Sequence, residues 1–223
     1  MKTDGETRSE RKERDIIRAA AATFISKGYD GTSMEEIATK AAVSKQTIYK
    51  HFTDKETLFG EVVRSTAAGA NDIVELVTNL LSDTKFRQGG LAKLGRLVVT
   101  TLLDDELVKL RRLIIANADR MPSLGRDWYE KGFERMLGTM ASCFRKLSAQ
   151  GLMRADDPEL AASHFFGMLL WIPMNEAMFT GNRHPRSRVE LERHADASVE
   201  AFLALYGVRD RPNAGGKSST APV

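Results

Sequence analysis

The sequence predicts an all-α protein, with an N-terminal three-helix unit that contains a helix-turn-helix and a larger C-terminal helical bundle. Three observations carry this. Apolar residues recur three and four apart through most of the chain, which lines one face of a helix. The apolar–polar alternation of strands is absent. At several points a Ser or Thr stands three residues before a Glu, the capping-box pattern that opens a helix.

The first helix is expected over about Arg8 to Lys27, with Ile17, Ala21 and Phe24 on one stripe, Ile16 and Ala20 beside it, and a basic opposite face. Gly28-Tyr29-Asp30-Gly31 is a turn signal. Thr32-Ser33-Met34-Glu35 then caps a short helix to about Ala41, and Ser44 caps another that ends near Phe52. Thr53-Asp54-Lys55-Glu56 opens a longer helix toward Leu81. Helical segments follow near Phe86 to Leu103, Glu106 to Met121 and Leu124 to Gln150. Asp157-Pro158 places a cap before a proline at the first helical position, so a helix should run from Pro158 to about Thr180. Ser187 to Glu190 caps the last helix, which Gly207 stops after Tyr206. The expected organisation is a helix-turn-helix domain over 8–53, a helical domain over 54–207 and a disordered tail over 208–223, where apolar residues are scarce.

Composition narrows the function. A net charge of +3 does not by itself identify a polyanion partner, so the distribution of charge must decide. Cys143 is the single cysteine and permits no internal disulfide, which fits a cytoplasmic protein. The four histidines have no metal-ligand spacing, and a Gly-rich phosphate loop and a nucleophile elbow are both lacking. The chain is therefore expected to be no enzyme and to need no cofactor or metal. Met1 to Arg14 is too polar for a signal peptide. The longest apolar stretch, Phe165 to Met174, is interrupted by Pro173 and falls short of the ~20 residues of a membrane span.

The two short helices joined by a tight turn form a helix-turn-helix whose second member is shaped for the major groove. On it, Ile48 and Phe52 face inward, while Lys45, Gln46, Thr47, Tyr49, Lys50 and His51 offer donors outward with no acidic residue among them. Lys45 and Gln46 suit guanine and adenine edges, with Thr47 third; Tyr49, Lys50 and His51 suit phosphates. Ser44 stands at the start of the same helix. Thr32 and Ser33 sit at a helix N-terminus that favours a phosphate, and Lys55 can reach the same DNA backbone. A solvated polar face is the alternative reading of these residues. Arg8, Arg11, Lys12 and Arg14 are either additional DNA contacts or a solvated arm.

The run from Gly28 to Ala38, followed by Ala41-Ala42-Val43-Ser44-Lys45-Gln46-Thr47-Ile48-Tyr49-Lys50-His51-Phe52 and Lys55 to Phe59, closely resembles the DNA-binding domain of TetR-family regulators. The resemblance covers about Arg11 to Glu61. It implies a dimeric repressor, or less often an activator, whose helix from Ser44 to Phe52 reads the major groove and whose Tyr49, His51 and Lys55 contact phosphates. The family usually has glycine where Ala42 stands, so this turn should carry left-handed strain of order 1 kcal/mol. Gln46 replaces a residue that is often small, which points to a base preference of this chain's own.

The chain from Glu106 to Gly181, notably Leu113 to Arg126 and Gly151-Leu152-Met153, resembles the AefR-like C-terminal domains of some TetR regulators. That resemblance implies a homodimer on a double-stranded DNA operator, paired through helices 158–180 and 187–206. Phe165, Leu169, Ile172, Val199, Phe202, Leu203 and Leu205 supply apolar area for the pairing, although burial inside one protomer explains them equally well. Trp128, Phe133, Met168, Trp171 and Met174 are candidates to line an effector cavity, with Asn117, Arg120 and Asn175 as polar anchors. Plain core packing is the competing explanation for the apolar members. A regulator that does not respond to a small ligand is the alternative at the level of function. Cys143, His164 and His194 are read as packing or surface residues rather than a redox switch or metal ligands.

Overall fold

Caps define where most of the helices begin. A computed structural model describes residues 7–68, 89–181 and 186–208, and every regular element in them is helical. Helix α1 (Arg8–Lys27) opens on a reciprocal pair in which Thr7 Oγ1 accepts from the Glu10 amide and Glu10 from the Thr7 amide. Helices α2 (Met34–Lys40) and α3 (Lys45–His51) start from Ser33 and Ser44, whose hydroxyls accept from Glu36 N and Thr47 N. Helix α4 (Lys55–Ala68) starts from Asp54, whose carboxylate accepts from Thr57 N at 2.7 Å. Two expected caps thus sit one residue later than expected. Thr32 spends its hydroxyl on the Gly28 carbonyl, and Asp54 caps more strongly than Thr53. The expected continuation of α4 toward Leu81 beyond Ala68 lies outside the described residues, as does the tail from 209 on.

Helices α5 (Gly90–Leu102) and α6 (Asp105–Asn117) follow, with Asp104 capping the latter. The expected single helix from Leu124 to Gln150 is instead α7 (Pro122–Trp128), a π-helical turn (Tyr129–Glu134) and α8 (Arg135–Ala149). Arg135 N reaches back five residues to the Glu130 carbonyl, so the chain is locally wider than an α-helix. The register gained leaves one mark in the sequence, the five-residue step between Trp128 and Phe133, which both face the same space. Helices α9 (Pro158–Thr180) and α10 (Arg188–Tyr206) have the expected bounds, and Gly181 closes α9 with a left-handed φ of 65°.

Two buried clusters hold these elements. The first gathers Ile16, Ala20, Phe24, Ile37, Ile48, Phe52, Leu58 and Phe59 from α1–α4, with Phe24 and Phe59 centroids 4.9 Å apart. On α1 the buried stripe runs through Ile16, Ala20 and Phe24, whereas Ile17 and Ala21 are half-buried. Leu110 and Ile114 of α6, and Met121 and Leu124 at α7, complete this cluster, so the C-terminal region packs directly into the core of the head. The second cluster joins α5, α8, α9 and α10 around Phe144, Phe165 and Phe202. Each large side chain so buried contributes ~1.5–3 kcal/mol. Gly95 lets α5 cross α10 closely, since a Cβ there would lie 2.8 Å from Val199 Cγ2.

This packing corrects part of the expected dimer surface. Phe165, Leu169, Val199 and Phe202 are buried within the protomer, while Ile172, Leu203 and Leu205 of the same helices are exposed. Among the described residues no helix is long and apolar enough to cross a membrane.

Candidate nucleic-acid interface and ligand cavity

The outer face of α3 is built by subtraction. Ile48 and Phe52 are drawn into the head core, which leaves Lys45, Gln46, Tyr49 and Lys50 exposed on the opposite side. Ser44 Oγ both caps the helix and lies 2.8 Å from Thr47 Oγ1, so these two hydroxyls are already engaged with each other at its N-terminus. Lys45 Nζ pairs with Glu35 Oε1 of α2 at 2.5 Å and lies over the Tyr49 ring. Their hydrogen bond and mutual charge hold the Glu35 carboxyl below its ordinary range and the Lys45 ammonium above its own. An acidic neighbour was not visible from α3 alone, because Glu35 comes from the preceding helix. Ser33 is exposed at the start of α2. His51 is partly buried, with Nδ1 3.6 Å from Glu13 Oε2 of α1.

Thr32 and Lys55 stand differently from the expectation. Thr32 is 2% exposed and donates its hydroxyl to the Gly28 carbonyl at 2.7 Å. Lys55 Nζ donates to the carbonyls of Tyr29 and Thr32 at 2.8 and 2.9 Å and sits 4.4 Å from the Tyr29 ring centroid. Both side chains therefore brace the turn between α1 and α2. Burial of the turn favours this, because carbonyls withdrawn from water need donors. Gly31 belongs to the same brace: a Cβ there would fall 2.5 Å from the Lys27 carbonyl oxygen.

The turn between α2 and α3 carries the expected strain. Ala42 has φ 53°, the left-handed region, and is the one non-glycine residue with positive φ among those described.

A cavity of about 930 Å³ lies between α4, α5, α6, the π turn, α8 and α9. Of the eight residues expected to line it, Trp128, Phe133, Trp171, Met174 and Asn175 do so. The other three do not. Asn117 donates its amide to the Leu113 carbonyl one turn back, and Met168 packs against the second core. Arg120 binds Asp30 at 2.7 Å and covers the Tyr29 ring, joining the α6–α7 turn to the α1–α2 turn. The cation of the lining is Arg111, partly buried and outside the expected set. It stands on α6 one turn before Ile114, and its proximity to α9 depends on tertiary packing. Its guanidinium touches Met174 Sδ, and burial pushes its pKa below the ordinary arginine value. The π turn supplies Tyr129, Gly132 and Phe133 to the wall, and Thr66 of α4 reaches the same space.

Cys143, His164 and His194, expected to be packing or surface residues, are placed as follows. Cys143 is buried, which pushes its thiol up to about 12, so it stays protonated at neutral pH. His164 Nδ1 lies 2.6 Å from the Tyr206 hydroxyl, and His194 Nε2 is 3.0 Å from the Leu169 carbonyl. Among the described residues no cluster of His, Cys, Asp and Glu has the arrangement of a metal site.

Comparison with known proteins places the two halves separately. Residues 16–62 match the model of bacterial regulatory proteins of the tetR family, and residues 89–208 match that of the AefR-like transcriptional repressor C-terminal domain. A TetR-family transcriptional regulator of Mesorhizobium loti MAFF303099 superposes with a TM-score of 0.85 at 73% identity, covering 91% of this chain and 100% of that one. The flavonoid-responsive regulator FrrA superposes with a TM-score of 0.65 at 26% identity, covering 90% of this chain and 99% of its own. The HTH-type regulator YdeS of Bacillus subtilis is 30% identical over 59% of this chain and 69% of its own length.

Proposed function

The chain belongs to the TetR family of bacterial regulatory proteins, with an AefR-like C-terminal domain, and from that premise we propose that it is a cytoplasmic, ligand-responsive repressor that binds a palindromic operator as a homodimer. The observation that carries the DNA side is the exposed set Lys45, Gln46, Tyr49 and Lys50 on a capped helix whose other face is locked into the head. Lys45 and Gln46 read base edges, and Tyr49, Lys50, His51 and Ser33 hold phosphates. Ser44 and Thr47 present the start of the helix. In this reading Thr32 and Lys55 keep the head rigid and do not touch DNA through their side chains.

Regulators of this family bind DNA as dimers. Helices 158–180 and 187–206 suit the pairing, because Ile172, Phe179, Leu203 and Leu205 stand exposed on them, Phe179 at 86%. Repression is the sign supported by the AefR-like repressor model.

Response to an effector is supported by the cavity and its connection to the head. Helix α4 carries Lys55 in the brace of the head and Thr66 in the cavity wall, roughly 16 Å apart along one helix at 1.5 Å per residue. The Arg120–Asp30 bridge is a second link. An effector that prefers one placement of α4 would shift the separation of the two reading helices and release the operator. The flavonoid response in the name of FrrA supports an aromatic compound as the effector.

The test is binding of the purified protein to DNA upstream of its own coding region, over a salt series and beside a scrambled duplex. Sequence-dependent binding that weakens with salt and is lost in a Lys45, Gln46 and Tyr49 triple alanine variant is expected. Equal affinity for both duplexes contradicts specific recognition at that site. Specific binding that no cavity ligand alters selects the alternative of a regulator without a small-molecule effector.

A further inference from the structure

We propose that the cavity takes a small organic monoanion with a flat apolar body, whose acidic group pairs with Arg111. The inference rests on reading this cavity as the effector site and specifies the chemistry of what fills it. Arg111 is the one cationic side chain in the lining among the described residues. It is largely withdrawn from water, its contact is the thioether of Met174, and no carboxylate of the described residues stands within ion-pair distance. Asp104 is the one acidic residue of that lining, and its carboxylate already accepts from the amides of Glu106 and Leu107 at the start of α6. A guanidinium kept charged in such a place lacks the partner that its geometry is made to hold, two parallel hydrogen bonds to a planar acid.

The rest of the wall describes the body of the ligand. Trp128, Tyr129, Phe133 and Trp171 offer aromatic faces, and the cavity volume lies in the range of small-molecule sites. A single cation argues for one negative charge. A dianion would bring a second charge into a space with one acidic neighbour and no other basic one among the described residues.

Both tryptophans of the chain line the cavity, so its occupancy is read directly by tryptophan fluorescence of the full-length protein. The probes are 4-phenylbutyrate and its uncharged isostere 4-phenylbutyramide at neutral pH. The acid is expected to bind about tenfold or more tightly than the amide, as a charge-assisted hydrogen bond replaces a neutral one. Arg111→Met should abolish the difference, and Arg111→Lys should restore part of it. Gly167→Phe should block both probes, since Gly167 lines the cavity and a Cβ there meets nothing within 4 Å, so the side chain is accepted without displacing backbone. Thermal unfolding of each variant checks that it is folded; removal of the unpaired guanidinium in Arg111→Met should leave the melting temperature unchanged or raised.

Equal binding of acid and amide, blocked by Gly167→Phe, would overturn the anion inference and leave the cavity as a ligand site. A preference for the acid that survives Arg111→Met would overturn it too, by placing the anchor elsewhere. Binding of neither probe, or binding that survives Gly167→Phe, would overturn both the inference and the effector-site reading on which it rests.

Discussion

His194 of α10 points Nε2 at the Leu169 carbonyl, 3.0 Å away, and that carbonyl is the one Pro173 leaves without a helical donor. An α-helix pairs each amide with the carbonyl four residues earlier, and a proline has no amide to give. The imidazole from the neighbouring helix fills the gap, which requires the proton to sit on Nε2. Proline inside a long helix is thereby tolerated beside the second cluster, to which Leu169 belongs. His194→Ala should cost about 1–2 kcal/mol in chemical denaturation. In a Pro173→Ala background the backbone regains an amide that can serve the same carbonyl, so the cost of His194→Ala should fall to about half or less. Equal cost in both backgrounds would show that the two residues act independently.

Ala42 holds a left-handed φ in the turn of the helix-turn-helix. Ala42→Gly should stabilise the protein by about 1 kcal/mol, because glycine adopts this conformation without the Cβ clash. The measurement is the denaturation midpoint, with the slope unchanged. A lowered midpoint would mean that the surrounding turn, and not Cβ sterics, sets the backbone there.

Glu35 holds Lys45, the proposed base-reading lysine, in an ion pair, and in that reading it competes with DNA for the ammonium. Glu35→Ala should raise operator affinity about twofold to threefold, since an exposed pair of this kind is weak and loss of the carboxylate also removes its repulsion of the DNA phosphates. Lys45→Ala should lower affinity and reduce the salt dependence by about one counterion if the ammonium also meets a phosphate, or relax base preference at one position if it meets a guanine. Fluorescence anisotropy over a salt series separates these outcomes. No change in either variant would remove Lys45 from the interface.

Asp196 of α10 receives two hydrogen bonds from Arg96 of α5, both at 2.7 Å, and the guanidinium holds its carboxyl below the ordinary value of 3.8. A lowered folded-state pKa adds stability above the unfolded value, and that addition disappears as pH falls through the folded value. The melting temperature of wild type should therefore exceed that of Asp196→Asn at neutral pH, and the two should converge in the acid range below 3.8. A difference that persists at acid pH would mean that the substitution acts through packing. The pair is solvent-exposed, so the neutral-pH difference should be small.

Much of the fold is legible in the sequence because it is local. Ser44, Asp157 and Ser187 lie within one turn of the amides they cap, so residue type and spacing suffice to place the helices they open. The left-handed turn at Ala42 is equally local, and its motif identified the family. Legibility fails where one residue of register matters. Ser33 rather than Thr32 caps α2, Asp54 rather than Thr53 caps α4, and the π turn from Tyr129 to Glu134 steps the wall residues Trp128 and Phe133 by five positions instead of three or four.

What the sequence determined by itself is the helical class, most helix starts and the chemistry of the face from Lys45 to Lys50, since all of these follow from neighbours within about four positions. Tertiary structure alone decided which arginine enters the cavity. Arg111 and Arg120 are nine positions apart in the chain, but α6 turns the first toward α9 while the chain past Asn117 carries the second to Asp30 and Tyr29. It also decided that Lys55 braces carbonyls and that Phe165 and Phe202 fill the core while Phe179 faces out. Each of these is a contact between residues distant in the chain, and periodicity on one helix records which face is apolar without recording what will be packed against it.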